Sequence, residues 1–150
     1  MLRDSIKAAQ IAAMKAGDKP RLAAVRLILA KLKDRDIELR TSDAPVDDDA
    51  MVIEVLQKMV KQRRESIKLF EEGGRPERAA EEQAEVDVIE TFLPAQMSEE
   101  ETKAAIEAIK AEVGASGMKD MGKVMGLLKE RHATTLDMGK ASGWVKAALA

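Results

Sequence analysis

Gly122 and Gly126 stand four residues apart in Met121-Gly-Lys-Val-Met-Gly126, with Lys119, Lys123 and Lys129 around them. Two glycines on one helical face each give up roughly 1 kcal/mol of helix propensity relative to alanine, so something must offset the loss. Two readings do so. A neighbouring helix can approach the bare backbone closely, which is the reading preferred on packing grounds. Alternatively the face admits the backbone of a ligand, with the lysines supplying the attraction. Six cations, Lys119, Lys123, Lys129, Arg131, Lys140 and Lys146, lie between residues 119 and 146, against Asp120, Glu130 and Asp137. Over residues 98–150 the basic and acidic residues balance at eight each, so the surplus is local. Such a patch suffices for phosphate contacts, although a solvated helix surface has a similar composition.

A second basic stretch, Lys58, Lys61, Arg63, Arg64 and Lys68, holds only Glu65 as an internal counter-charge. Arg63 falls on an apolar seam, where an unpaired charge is costly. An interhelical ion-pair network of Arg63 with Glu82 and Glu85 is the first reading, and an anion site the second. Asp47-Asp48-Asp49 places three carboxylates at a helix start. They complement the helix dipole better than they converge on a cation.

Catalytic chemistry finds few candidates. The chain has no cysteine and a single histidine, His132, which removes thiolate nucleophiles, thiolate metal ligands and the commonest general base. HExxH, Walker, GxSxG and EF-hand patterns are missing. His132 sits where a helix ends, and its charged form suits the dipole there. No catalytic residue, metal site or cofactor is assigned. With three aromatics, Phe70, Phe92 and Trp144, a stacking platform for single-stranded nucleic acid is disfavoured. If the partner is RNA, a folded RNA read by shape and backbone is expected.

The elements that position these residues are helices throughout. Of 150 residues, 45% are apolar and 35% charged, and nine methionines stand in for aromatic bulk, a composition that favours amphipathic helices. Residues 2–16 predict a helix ended by Gly17. Asp18 caps a second, with Pro20 in its first turn, running to about Thr41 with Leu22, Val25, Leu29 and Leu32 inward. Ser42–Pro45 predicts a turn. A third helix carries Ile53, Leu56, Val60, Arg63, Ile67 and Phe70 at alternating spacings of three and four, a seam for a partner helix, and ends at Gly73-Gly74. A fourth, from about Pro76 to Phe92, carries a stripe of Ala80, Ala84, Val88 and Phe92. Ser98 and Glu101 form a capping box ahead of Ile106, Ile109 and Val113. After a break at Gly114–Gly117, Met121, Val124, Met125 and Leu128 mark a sixth helix. Met138, Ala141, Val145 and Leu149 mark a seventh. The expected organisation is an N-terminal helical domain over 1–94 and a small three-helix tail domain over 98–150. No strand pattern and no internal repeat of 20–50 residues is found. No apolar run reaches the roughly 20 residues of a membrane span, and the first residues read as a helical turn, not a signal peptide. A cytoplasmic protein is expected.

Several segments resemble one known family in order along the whole chain. These are Lys61-Gln-Arg-Arg-Glu-Ser66, Phe70-Glu-Glu-Gly-Gly-Arg-Pro76, Glu82 and Glu85, Phe92-Leu-Pro-Ala-Gln-Met97, and Met121-Gly-Lys-Val-Met-Gly-Leu-Leu128. The chain resembles the GatB/YqeY family, and within it the free-standing YqeY-like proteins more than amidotransferase subunits. The resemblance implies an N-terminal helical domain, a three-helix tail and a tRNA-associated role. Similar tails end the GatB subunit of the tRNA-dependent amidotransferase and occur on some glutaminyl-tRNA synthetases. There the tail contacts tRNA and the chemistry belongs to other domains. By position, Lys119, Lys123 and Lys129 become the candidate contacts. Where the family commonly has a glycine-containing turn before the last helix, this chain reads Ala133-Thr134-Thr135. The function expected is a non-catalytic tRNA-binding module. The alternatives are an adaptor docking on a synthetase or amidotransferase through the third helix's seam, and an accessory of a carbon–nitrogen ligase using glutamine as amide donor.

Overall fold

A computed structural model describes residues 1–43 and 46–150, apart from the side chain of Met138. Among the described residues every regular element is helical and none is a strand. Of the turn expected over Ser42–Pro45, Ala44 and Pro45 lie outside the described residues. The inward placement expected of Met138 does too.

The chain divides into two compact units, Met1–Leu93 and Pro94–Ala150. The first holds α1 (Leu2–Ala16), α2 (Lys19–Leu39), α3 (Asp48–Glu72) and α4 (Pro76–Glu90). Local rules set their ends. Gly17 adopts φ 69°. Its N–H and that of Asp18 bond back to the carbonyls of Met14 and Ala13, the paired bonds of a Schellman stop. The same pair of bonds closes α3, where Gly74 has φ 70° and Arg75 N–H reaches the Phe70 carbonyl at 2.8 Å. Asp18 and Asp47 cap α2 and α3 by accepting the N–H groups of Arg21 and Ala50.

The core of this unit gathers Ile6, Val25, Ile28, Leu32, Val52, Leu56, Met59, Val86 and Ile89. α3 is its centre, packing on α1, α2 and α4. Its first turns are therefore buried on more than one side, with Met51, Val52 and Met59 joining the expected Ile53, Leu56 and Val60. Further along the helix is less covered, and Ile67 and Phe70 are half-buried.

The α4 stripe differs from expectation. Ala80 and Ala84 are exposed, while Ala79, Val86 and Ile89 are buried. The helix turns Val86 and Ile89 inward, where they bury more apolar area than the alanines would, and the expected Val88 and Phe92 pack half-buried at the edge of the core.

The second unit holds α5 (Glu99–Val113), a short 3-10 turn over Met118–Asp120, α6 (Met121–His132) and α7 (Met138–Leu149). The three helices pack pairwise around Ile106, Ile109, Val124, Leu128, Leu136, Ala141, Val145 and Leu149. The capping box is complete, with Ser98 Oγ accepting from Glu101 N–H and Glu101 Oε2 accepting from Ser98 N–H. Thr102, buried just behind it, donates to the Ser98 carbonyl at 2.8 Å, so its hydroxyl is satisfied. Gly114 ends α5 with φ 65°. The Ala133-Thr134-Thr135 turn needs no left-handed residue, since no non-glycine described has positive φ. It is held by the His132 carbonyl, which accepts from Thr135 and Leu136, and by Met97 N–H on the Thr135 carbonyl at 2.8 Å.

Candidate nucleic-acid interface

Helical periodicity decides where the tail cations go. Val124 and Leu128 fill the buried side of α6. Gly122 and Gly126 each lie two residues from one of these, about 200° around the helix, and so face solvent. A Cβ built at either glycine would meet no atom within 4 Å. The close helix–helix approach expected for this pair is absent, because the packed side of α6 is the opposite one. What remains is a bare outward strip of backbone.

Lys123 and Lys129 are exposed on that same side, within an arc of about 120° that contains both glycines. Lys119 is exposed in the 3-10 turn that leads into α6 and packs on α7. On α7 the buried side runs through Ala141, Val145 and Leu149, leaving Lys140 and Lys146 exposed on the other. None of these five ammonium groups takes part in an ion pair among the described residues. The sixth cation is different. Arg131 donates from Nη1 and Nη2 to the two carboxylate oxygens of Glu112 at 2.8 Å each. That bond holds the Glu112 carboxyl below its ordinary range and raises Arg131 further. Arg131 is thus committed to α5, and the other five remain available to an outside anion.

A cation not singled out from sequence, Lys110 on α5, donates to the Ala148 carbonyl at 2.9 Å. It satisfies one of the carbonyls that the end of α7 leaves open and places a positive charge at that helix's negative pole. His132 is half-buried at the end of α6 and lines a shallow cleft with Gln96, Met97, Glu101 and Thr135.

In the first unit Arg63 Nε donates to Glu85 Oε2 at 2.8 Å and lies 4.0 Å from Glu82. The seam charge is therefore met by two carboxylates of α4, the network read first from sequence. Arg64 pairs with Glu90 at 2.8 Å. The three aspartates at the start of α3 divide their work. Asp47 caps, Asp49 accepts the Leu2 N–H at 3.0 Å, and Asp48 binds Arg3. Arg3 also grips Asp36, with Nη1 and Nη2 each 2.9 Å from a separate oxygen, tying α1 to α2 and α3. Among the described residues no three His, Cys, Asp or Glu side chains gather as a metal site. No described helix is long and apolar enough to cross a membrane.

Among the described residues the chain is all-helical, and its small C-terminal unit turns lysines and bare backbone outward. The chain belongs to the family described as Yqey-like protein, which matches residues 3–149. Among curated proteins it is similar to Altered inheritance of mitochondria protein 41, mitochondrial. The Eremothecium gossypii protein of that name is 36% identical over 83 residues, covering 55% of this chain and 44% of the relative. That of Saccharomyces cerevisiae (strain YJM789) is 28% identical over 120 residues, covering 76% of this chain and 61% of the relative. The chain therefore spans only about half to three-fifths of the length of these relatives.

Proposed function

We propose that this protein is a non-catalytic module that associates with tRNA, holding the folded molecule through phosphate contacts from its C-terminal unit. The observation that carries this reading is the set of five exposed lysines on and beside α6 and α7, none of them neutralised by a carboxylate among the described residues. Phosphate contacts dominate affinity for nucleic acid and need little beyond accessible cations held on a rigid frame. The likeness of the Met121–Gly126 segment to tails of tRNA-handling proteins points to the same partner. An aqueous, RNA-containing compartment suits it, whether the cytoplasm expected from sequence or the organelle named for its relatives.

The adaptor reading rested on the seam of α3. That seam packs against α4 of the same chain, with Arg63 bonded to Glu85 across it.

Fluorescence polarisation of labelled tRNA with the full chain, over a series of salt concentrations, tests the proposal. Binding whose affinity falls steeply with salt is expected. Absent or salt-independent binding overturns it.

A further inference from the structure

α6 and α7 carry one segment twice. Asp120-Met-Gly-Lys-Val-Met-Gly-Leu-Leu-Lys129 and Asp137-Met-Gly-Lys-Ala-Ser-Gly-Trp-Val-Lys146 align without a gap, 17 positions apart (137 against 120), and six of the ten positions are identical.

Four of the six identities fall on the side where the fold does not require them, while Met121 packs on the core and the Met138 side chain lies outside the described ones. The buried pairs, Val124 with Ala141 and Leu128 with Val145, differ. So do the half-buried pairs, Met125 with Ser142 and Leu127 with Trp144. The pairs Gly122 with Gly139, Lys123 with Lys140, Gly126 with Gly143 and Lys129 with Lys146 are identical, and all eight residues are exposed. Packing offers no reason for the glycines. A Cβ at Gly122, Gly126 or Gly143 would meet nothing within 4 Å, and at Gly139 only the Asp137 Oδ1 at 3.4 Å. Alanine would fit at each and form helix better. Asp120 and Asp137, identical too, serve differently, one accepting the Ser116 N–H and the other capping α7. Shared local structure therefore does not explain the repetition. An outward surface that pairs bare backbone with lysine, made twice at a cost to helix stability, points to something outside the chain.

Each copy has the same layout. Gly126 stands three residues from Lys123 and from Lys129, as Gly143 does from Lys140 and Lys146. The two lysines of a copy are separated by a rise of roughly 9 Å with the glycine between them. A polyanion backbone can lie against the helix at the glycine while an ammonium group reaches it from either side. α6 and α7 pack on each other and on α5 through their buried sides, so the two outward faces look in different directions. One straight strand does not meet both. A folded RNA, which presents separate stretches of its backbone, does.

Resting on the RNA reading above, we propose that the outward faces of α6 and α7 are two equivalent docking faces, each taking a different stretch of the phosphodiester backbone of the same folded RNA. Lys119 and Arg131 lie outside the repeat, and the bivalent grip does not depend on them.

The test uses the full chain with two probes, unfractionated tRNA and a 12-nucleotide single-stranded RNA, in polarisation titrations across a salt series. The variants are Lys123→Gln with Lys129→Gln, Lys140→Gln with Lys146→Gln, all four together, and singly Gly126→Leu and Gly143→Leu. Either lysine pair is expected to weaken tRNA binding about tenfold and to reduce the salt slope by about 1.5 units, from 0.7–0.9 for each lost phosphate contact. The fourfold variant should lose binding. The short strand, which one face can hold, should lose less than about threefold from either pair. Each glycine variant should keep the fold, with Tm unchanged or raised by a few degrees, and yet bind tRNA at least threefold more weakly. If one lysine pair is silent toward tRNA while the other carries the whole loss, or if the leucine variants bind unchanged, the two-face inference fails and the RNA reading stands. If the unaltered chain binds no tRNA, the RNA reading fails with it.

Discussion

Arg131 and Glu112 face each other in a two-pronged bond, each guanidinium Nη 2.8 Å from its own carboxylate oxygen. The planar fork matches the carboxylate, a geometry lysine cannot reproduce. Arg131→Gln should therefore change RNA affinity and its salt slope far less than Lys123→Gln does, although both remove one positive charge. A polarisation series comparing the two decides it. An equal loss would mean that Arg131 leaves Glu112 to bind RNA. In the same variant the Glu112 carboxyl, now held low by Arg131, should titrate in the ordinary glutamate range, which carboxyl NMR follows directly.

Arg3 makes the latch of the N-terminal unit. Its hydrogen bonds to Asp48 and Asp36 raise its own pKa and hold the Asp48 carboxyl below the usual aspartate range. A carboxyl depressed in the folded state stabilises it above the unfolded pKa, near 4, and that contribution fades as pH falls through the lowered value. Acid melts of the native chain should show this limb, and Arg3→Met should remove part of it. At neutral pH the substitution should cost on the order of 1 kcal/mol, since the partners are partly solvated. A melt at pH 7 unchanged by Arg3→Met would show that the latch contributes nothing.

Two glycines set side by side separate backbone need from surface choice. Gly114 has φ 65°, a conformation that disfavours any Cβ, so Gly114→Ala should destabilise by about 1 kcal/mol. Gly126→Ala, on a helix face open to solvent, should stabilise by a similar amount. Urea unfolding of the two variants should move the midpoint in opposite directions. A shift of the same sign for both would contradict the backbone assignments.

Leu128 is fully buried in the tail core. Leu128→Ala should cost about 2–5 kcal/mol and take RNA binding with it, because the outward lysines are aligned only by the helix this residue anchors. Circular dichroism and polarisation on one preparation should report both losses. RNA affinity preserved in an unfolded tail would show that the lysines act as a flexible charge cloud.

What could be read from sequence was what local chemistry decides. Asp18 and the Ser98–Glu101 box needed only neighbours within three residues, as did the stops at Gly17 and Gly114. The α4 stripe was displaced because Ala80 and Ala84 mark a helical face as well as Ala79 does, and only packing against α3 chooses Val86 and Ile89. Arg3 went unnoticed because its partners, Asp36 and Asp48, are 33 and 45 residues away, and only the fold brings them together. Arg63 was legible because its seam position demanded a counter-charge. The glycines were misassigned to packing for want of the neighbour that would fill, or leave empty, the space beside them. The duplicated segment was open to view in the letters. Its period of 17, however, falls below the 20–50 residues that mark repeat architectures, and its meaning appears only once both copies are seen to turn the same residues outward.

The glycine-bearing sides of α6 and α7 also bear on motion. Backbone amides beneath a glycine have no side chain to shield them, and each of these helices is only 12 residues long. α5 keeps its capping box and has no glycine within its span. Deuterium uptake should therefore run ahead in the two short helices while α5 stays protected, a gradient of local opening within one small unit. An RNA laid across those helices would close the gradient.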